Sequence, residues 1–244
     1  MGKITAPLSL IILIGLTSCN SSRSDSTLSG NGVSGSFSRF EVEGNALYTF
    51  DEQFMTVIDI SDPRSPSEVS QTRTMAPAES TRKRDSVLFV ASSSGLEIFD
   101  ISTPLVPQAL YAISHISSCD PIALKDSMAY LTLRSDPDVA RCRRGVDRLD
   151  ILNIKDIQRP VLVNDLEMTR PMGIGVQDSL LWVCDDGLKV FSLKDPYQPQ
   201  LKDHFQTIDA IDIVIRADLL IVSGKTRIYQ YRYENGQLIQ LSQL

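Results

Sequence analysis

Histidine is scarce, with two residues, His115 and His204, in a chain of 244. Two histidines on distant stretches make no metal set, and no C-x-x-C pair replaces them. A calcium loop needs D-x-D-x-D-G spacing, which is missing. There is no G-x-S-x-G for a nucleophile elbow, and Gly173-Ile174-Gly175 lacks the later glycine of a dinucleotide fingerprint. Cationic excess is lacking too: 24 Lys+Arg stand against 30 Asp+Glu, for a net charge of -6. Scattered charge of that sign gives no basic field for nucleic acid. The longest hydrophobic stretch near the start, residues 6–16, is too short to span a bilayer as a helix. These absences leave no catalytic residue, metal site or cofactor to assign. What remains is architecture.

That architecture is written as punctuation. Val57-Ile58-Asp59-Ile60-Ser61-Asp62-Pro63 is followed by Pro66, and Ile98-Phe99-Asp100-Ile101-Ser102-Thr103-Pro104 by Pro107. The pattern returns at Ile151-Leu152-Asn153-Ile154-Lys155-Asp156 with Pro160, and at Val190-Phe191-Ser192-Leu193-Lys194-Asp195-Pro196 with Pro199. A second signature precedes it: Asp85-Ser86-Val87-Leu88-Phe89, Asp126-Ser127-Met128-Ala129-Tyr130 and Asp178-Ser179-Leu180-Leu181-Trp182 align. A fixed period near forty residues marks a repeat fold. Five units result, at residues 37–75, 76–116, 117–168, 169–208 and 209–244. The third carries about a dozen extra residues, because Asp126 to Asn153 spans 27 positions where Asp85 to Asp100 spans 15.

Each unit reads as four short strands. In the fourth, the strands fall near residues 173–176, 180–184, 188–193 and 200–205. Asp178-Ser179 suits the first turn, since short polar side chains bond nearby backbone groups. Asp185-Asp186-Gly187 suits a hairpin that needs positive φ. Asp195-Pro196 to Pro199 is a loop, because proline cannot donate to a strand ladder. The second and third strands are nearly continuous apolar runs, so both their faces are buried. The prediction is an all-β fold, a β-propeller of five blades with four antiparallel strands each, closed into a ring. Asp59, Asp62 and Asp100 fall where a side chain can cap the following Pro loop. Arg82-Lys83-Arg84 reads as a solvated turn, Trp182 as packing, and Cys184 as a small buried hydrophobe.

Several blocks resemble the LVIVD-repeat family of β-propeller proteins, many of them bacterial lipoproteins. They are Ile98-Phe99-Asp100-Ile101-Ser102, Ser118-Cys119-Asp120-Pro121, Ala129-Tyr130-Leu131-Thr132-Leu133-Arg134, the run from Leu181 to Phe191, and Tyr229-Gln230-Tyr231. The resemblance covers residues 37–244 and brings no activity with it. Where relatives tend to have Pro-His-Gly, this chain has Pro171-Met172-Gly173. The family pattern also carries cysteines at the positions of Cys119 and Cys142, which implies a disulfide. The second-to-third-strand loop and the start of the first strand share one end of a blade, so the two can meet. Closing about 23 residues would stabilise the fold by roughly 3 kcal/mol on the chain-entropy model.

Lys3, the apolar stretch and Leu16-Thr17-Ser18-Cys19 read as a secretory signal. Small residues before a cysteine resemble the bacterial lipobox. This predicts a signal peptide at residues 1–18, an acylated Cys19, a flexible linker at residues 19–36 and the propeller at 37–244. The expected address is the bacterial envelope, anchored by lipid at the outer membrane. The domain is expected to be monomeric, with an envelope protein or glycan as possible partner.

The best candidate surface is the ring face holding the starts of the first strands. By register it receives Glu79, Cys119, Asp120, Arg170, Met172 and Asp209, with Arg39 nearby. The insertion at residues 134–147 adds Arg134, Asp136, Asp138, Arg141, Arg143, Arg144 and Asp147. Long loops in compact domains are often functional. Two readings follow: a binding or scaffolding module, or a sensor or enzyme for a small or saccharide-like ligand using Asp120, Arg170 and Asp209. A structural envelope protein without recognition is the third.

Overall fold

In the computed structural model, which describes residues 38–114, 121–143 and 145–244, the chain forms five separate four-stranded antiparallel sheets. Cys19, Cys119, Asp120 and Arg144, with the signal and linker at residues 1–36, lie outside the described residues. Blade 1 holds β1 (Phe40–Glu43), β2 (Ala46–Phe50), β3 (Phe54–Asp59) and β4 (Ser67–Arg73). Blade 2 holds β5 (Ala78–Arg84), β6 (Val87–Ser92), β7 (Gly95–Asp100) and β8 (Gln108–Ser114). Blade 3 holds β9 (Ile122–Lys125), β10 (Met128–Leu133), β11 (Arg148–Asn153) and β12 (Val161–Glu167). Blade 4 holds β13 (Ile174–Gln177), β14 (Leu180–Cys184), β15 (Leu188–Ser192) and β16 (Gln200–Phe205). Blade 5 holds β17 (Asp212–Arg216), β18 (Leu219–Ser223), β19 (Ile228–Glu234) and β20 (Gln237–Gln243). The only helical turn among the described residues is a 3-10 turn, Ala140–Cys142, inside the insertion.

Successive strands pair with their sequence neighbours, so each blade is a simple meander. The turn between first and second strands places Asp85, Asp126 and Asp178 at φ 52, 50 and 51. Aspartate tolerates that left-handed geometry better than most residues, which explains why it recurs there. The Pro loops are organised as the sequence suggests. Asp59 and Asp100 accept backbone N–H groups of Ser61 and Ser102 at 2.8 Å each, and Asn153 accepts that of Lys155 at 2.9 Å. Asp62, Asp156 and Asp195 do the same for Arg64, Gln158 and Tyr197. These bonds hold the Asp59 and Asp100 carboxyls below the usual carboxylate range.

Strand side chains alternate between faces, so each blade has a leading face toward the preceding blade and a trailing face toward the next. One aromatic sits at the same register on the trailing face of four blades: Tyr48, Phe89, Tyr130 and Trp182. All four are buried. Tyr48, Met55 and Val57 pack on Leu88, Val90 and Phe99. Phe89, Leu96 and Ile98 pack on Ala129, Leu131 and Leu152. Tyr130 and Ile151 pack on Leu181 and Phe191, and Trp182 and Val190 on Leu220 and Tyr231. Each fully buried side chain of this kind contributes about 1.5–3 kcal/mol. The two tyrosines also reach the Pro loop of the next blade: Tyr48 donates to Pro104 O at 2.7 Å and Tyr130 to Pro196 O at 3.0 Å. Burial pushes both phenols well above their ordinary pKa.

The fifth seam departs from the expected closed ring. No buried cluster joins blade 5 to blade 1 among the described residues; each of the four clusters belongs to a seam between sequence neighbours. Phe40 shows this directly. Thr81, Ile122, Ile174 and Ile213 hold its register in the other blades and are 0–2 % exposed, whereas Phe40 is 57 % exposed. The physical reason lies on both sides of the gap. Blade 5 carries Ile221 where the aromatic should be, with Ser223 and Gln230 at the positions of Cys184 and Val190. Blade 1 offers Thr49 and Thr56 where blade 2 offers Val90 and Glu97.

Arg82-Lys83-Arg84 also differs from expectation. It is not a solvated turn but the end of β5. Lys83 pairs with Glu43 of blade 1, and Arg84 donates to Asp126 O of blade 3 while lying 5.5 Å over the Phe89 ring. The described first strand of blade 3 begins at Ile122, after Cys119, and that of blade 4 at Ile174.

Two predictions follow from the seams. Tyr48→Phe and Tyr130→Phe each lose one interblade bond and should destabilise by about 0.5–1.5 kcal/mol in urea melts. A Phe89→Tyr control adds no such bond and should not stabilise. Gly187 has φ +104 and a Cβ there would sit 2.4 Å from Phe205 O. Gly187→Ala should therefore cost more than the about 1 kcal/mol of an ordinary glycine exchange, read from the same melts.

Candidate functional site

Polar burial is concentrated at one end of the arc, where second strands finish and third strands begin. Every buried polar or charged residue among those described belongs to blades 2, 3 and 4 or to the connector entering blade 2. Glu97, Asp150 and Lys189 occupy one register on the third strands of these blades. They sit on otherwise apolar strands, and a buried polar group needs a partner. Glu97 accepts the Met75 N–H at 2.9 Å, pinning the connector from blade 1. Burial raises its pKa, partly offset by that bond. In blade 4 the same task falls to Asp185. It accepts the N–H groups of Thr169 at 3.1 Å and Arg170 at 2.6 Å, and pairs with Lys189 at 2.6 Å. Arg148 donates from Nη2 to Asp150 at 3.0 Å and holds it in an ion pair through Nε at 2.6 Å.

The blade 3 insertion folds over this end. Asp136 is its hub. The carboxylate pairs with Arg134, lies 3.7 Å from an Arg170 nitrogen, and accepts the Asp138 N–H at 3.1 Å. Burial works to raise its pKa, but the Asp138 N–H and the two guanidinium groups outweigh it and hold the carboxyl low. Asp136 N donates to Cys142 O at 3.0 Å, and Ser135 N to Asp147 at 3.1 Å. Met168 N donates to Asp147 O at 3.0 Å, tying the insertion to the connector that leaves blade 3. Cys142 is buried with Sγ 3.9 Å from Glu79 Oε1 of blade 2. Glu79, Arg134, Asp136 and Arg170 therefore share one patch drawn from three blades.

The other expected residues are placed differently. Arg170 is largely exposed at its tip. Arg143 is exposed and donates to Pro137 O at 3.0 Å. Arg141 lies in the 3-10 turn, its side chain outside the described residues. Met172 uses its backbone, donating to Cys184 O at 2.8 Å and accepting from Thr132 Oγ1 at 2.7 Å, while its side chain joins the blade 4–5 core. Asp209 accepts the Lys225 N–H at 2.8 Å in a blade 5 turn. Arg39 is exposed just before β1. His204 bonds Asp186 O at 2.7 Å.

The channel itself is narrow. A cavity of about 160 Å³ is lined by Arg82 and Lys83 with Ala123, Leu124, Ile174, Val176 and the isoleucines of β17. Burial lowers the Arg82 pKa, opposed by Asp212 and Glu41 across the channel. No group of three or more His, Cys, Asp or Glu able to hold a metal occurs among the described residues. The roles of Glu97, Asp185 and Lys189 were not read from the sequence. A register alignment of the third strands would have found them, as charges at a shared position in apolar runs.

Similar solved structures share the fold at low identity. A protein of unknown function from Desulfotomaculum acetoxidans superposes with a TM-score of 0.68 at 10 % identity, covering 84 % of this chain and 68 % of that one. The periplasmic gluconolactonase of Pseudomonas aeruginosa gives 0.65 at 11 %, covering 82 % and 67 %. BamB from Moraxella catarrhalis gives 0.56 at 13 %, covering 75 % and 54 %. No curated protein matches the sequence. The LVIVD repeat matches at residues 34–74, which span blade 1, and the other four blades repeat its pattern of strands and Pro loops. The chain is a five-bladed β-propeller that carries the LVIVD repeat.

Proposed function

We propose that this protein is a lipid-anchored binding module of the bacterial envelope that holds a partner on its insertion-bearing face. The observation that carries the reading is the pinned insertion. Asp136, Asp147 and Cys142 fix its backbone, and Arg143 and Arg170 stand exposed above that base. A rigid platform with exposed guanidinium donors suits recognition, since little ordering cost remains on binding. The gluconolactonase is periplasmic by name, and it and BamB lend the fold precedent only. The saccharide alternative has less support: the channel cavity is small, about 160 Å³, and Asp209 is engaged by a turn.

The anchor and the disulfide belong to the same proposal. Cys19 is the acylation site, after removal of residues 1–18. The Cys119–Cys142 bond is supported by the full burial of Cys142.

Three outcomes are expected. The full chain, immobilised in detergent, should retain one defined envelope component. Arg143→Glu with Arg170→Gln should lose it while the protein still melts cooperatively, and retention indifferent to both changes overturns the reading. The full chain should enter the detergent phase on phase separation, and Cys19→Ala should leave it aqueous. Cys142→Ser should lower stability by about 3 kcal/mol under oxidising conditions; an unchanged denaturation midpoint removes the disulfide from the proposal.

A further inference from the structure

Four seams in this molecule are made the same way, each joining the trailing face of one blade to the leading face of the next. One face of each kind is left over. The trailing face of blade 5 presents Ile221, Ile228 and Gln230; the leading face of blade 1 presents Phe40, Leu47 and Ile58. Phe40 and Ile228 are 57 % and 44 % exposed, whereas Leu96 and Leu188, at the register of Ile228, are fully buried.

We propose that these two faces dock a second copy of the same chain, blade 5 of one molecule packing on blade 1 of the other. The surfaces are the two halves of a contact the chain already makes four times, and a second copy supplies both. An extended peptide fits poorly, because peptides add to strand edges and these are sheet faces. The preceding segment fits poorly as well: residues 20–36 offer only Leu28 and Val33 as aliphatic groups. Since the two faces differ, the contact is heterologous. Two copies that satisfy both seams close a ring of blades; copies that satisfy one extend. Gln230, Ser223, Thr49 and Thr56 replace apolar or charged seam residues, so the contact is wetter than the internal seams and dissociates on dilution.

Cross-linking of the full-length protein in detergent tests this. Thr56→Cys and Gln230→Cys are placed in separate chains, both expected to melt like the parent, and treated with a short bismaleimide. A mixture of the two single variants should give a covalent dimer well above the level of either alone or the parent, with yield falling on dilution. The double variant should also give dimer. A double variant that links only within one chain shows a ring closed on itself and overturns the proposal. Absence of any added cross-link in the mixture, with the double variant remaining unlinked, shows faces open to solvent and overturns it equally.

Discussion

Everything else in this molecule depends on the contact between a trailing and a leading face. A four-stranded blade of about thirty residues cannot bury its own apolar surface. Its second and third strands become core only when another blade covers each side. Blades 2, 3 and 4 are covered twice, and their central strands are accordingly buried on both faces. The aromatic at the Tyr48 register is buried within the seam. Where it is tyrosine, its hydroxyl also fixes the neighbour's Pro loop. The Asp-Pro punctuation is thus part of the interblade contact as well as a turn.

That packing rule leaves polar groups buried where connectors cross from one blade to the next, and the chain satisfies them with charge. Glu97 holds one connector and Asp185 another, the latter with Lys189 at the Glu97 register. The insertion adds a second layer to the same end, so the rigid scaffold and the exposed arginines of the candidate surface arise from one network. The opposite end carries tight turns and Pro loops, whose polar groups are met by their own Asp and Asn side chains and by Tyr48, Tyr130 and Arg84 of neighbouring blades.

At the ends of the arc the rule lapses, and the residues change with it. Ile221 replaces an aromatic, and Ser223, Gln230, Thr49 and Thr56 bring hydroxyls and an amide to seam positions. Terminal repeats of stacked folds commonly carry such polar outer faces. The neighbours agree in shape: the arc superposes on about two thirds of the Desulfotomaculum and Pseudomonas chains.

The number of blades, their strand order and the Asp-capped Pro loops were legible in the sequence, because each depends on contacts within about forty residues and recurs with the repeat. The Leu180–Cys184 and Gln200–Phe205 strands match the reading residue for residue, since turn residues bound them on both sides. What only the tertiary structure decided lies between blades. Arg82-Lys83-Arg84 reads as a turn by composition, yet its partners Glu43 and Asp126 come from blades on either side. Asp136 becomes a hub only when Arg170, a full blade away, is brought to it. Whether the ring closes is likewise no property of any one repeat: it depends on how two faces more than 150 residues apart in the chain match, and local periodicity carries no information about that match.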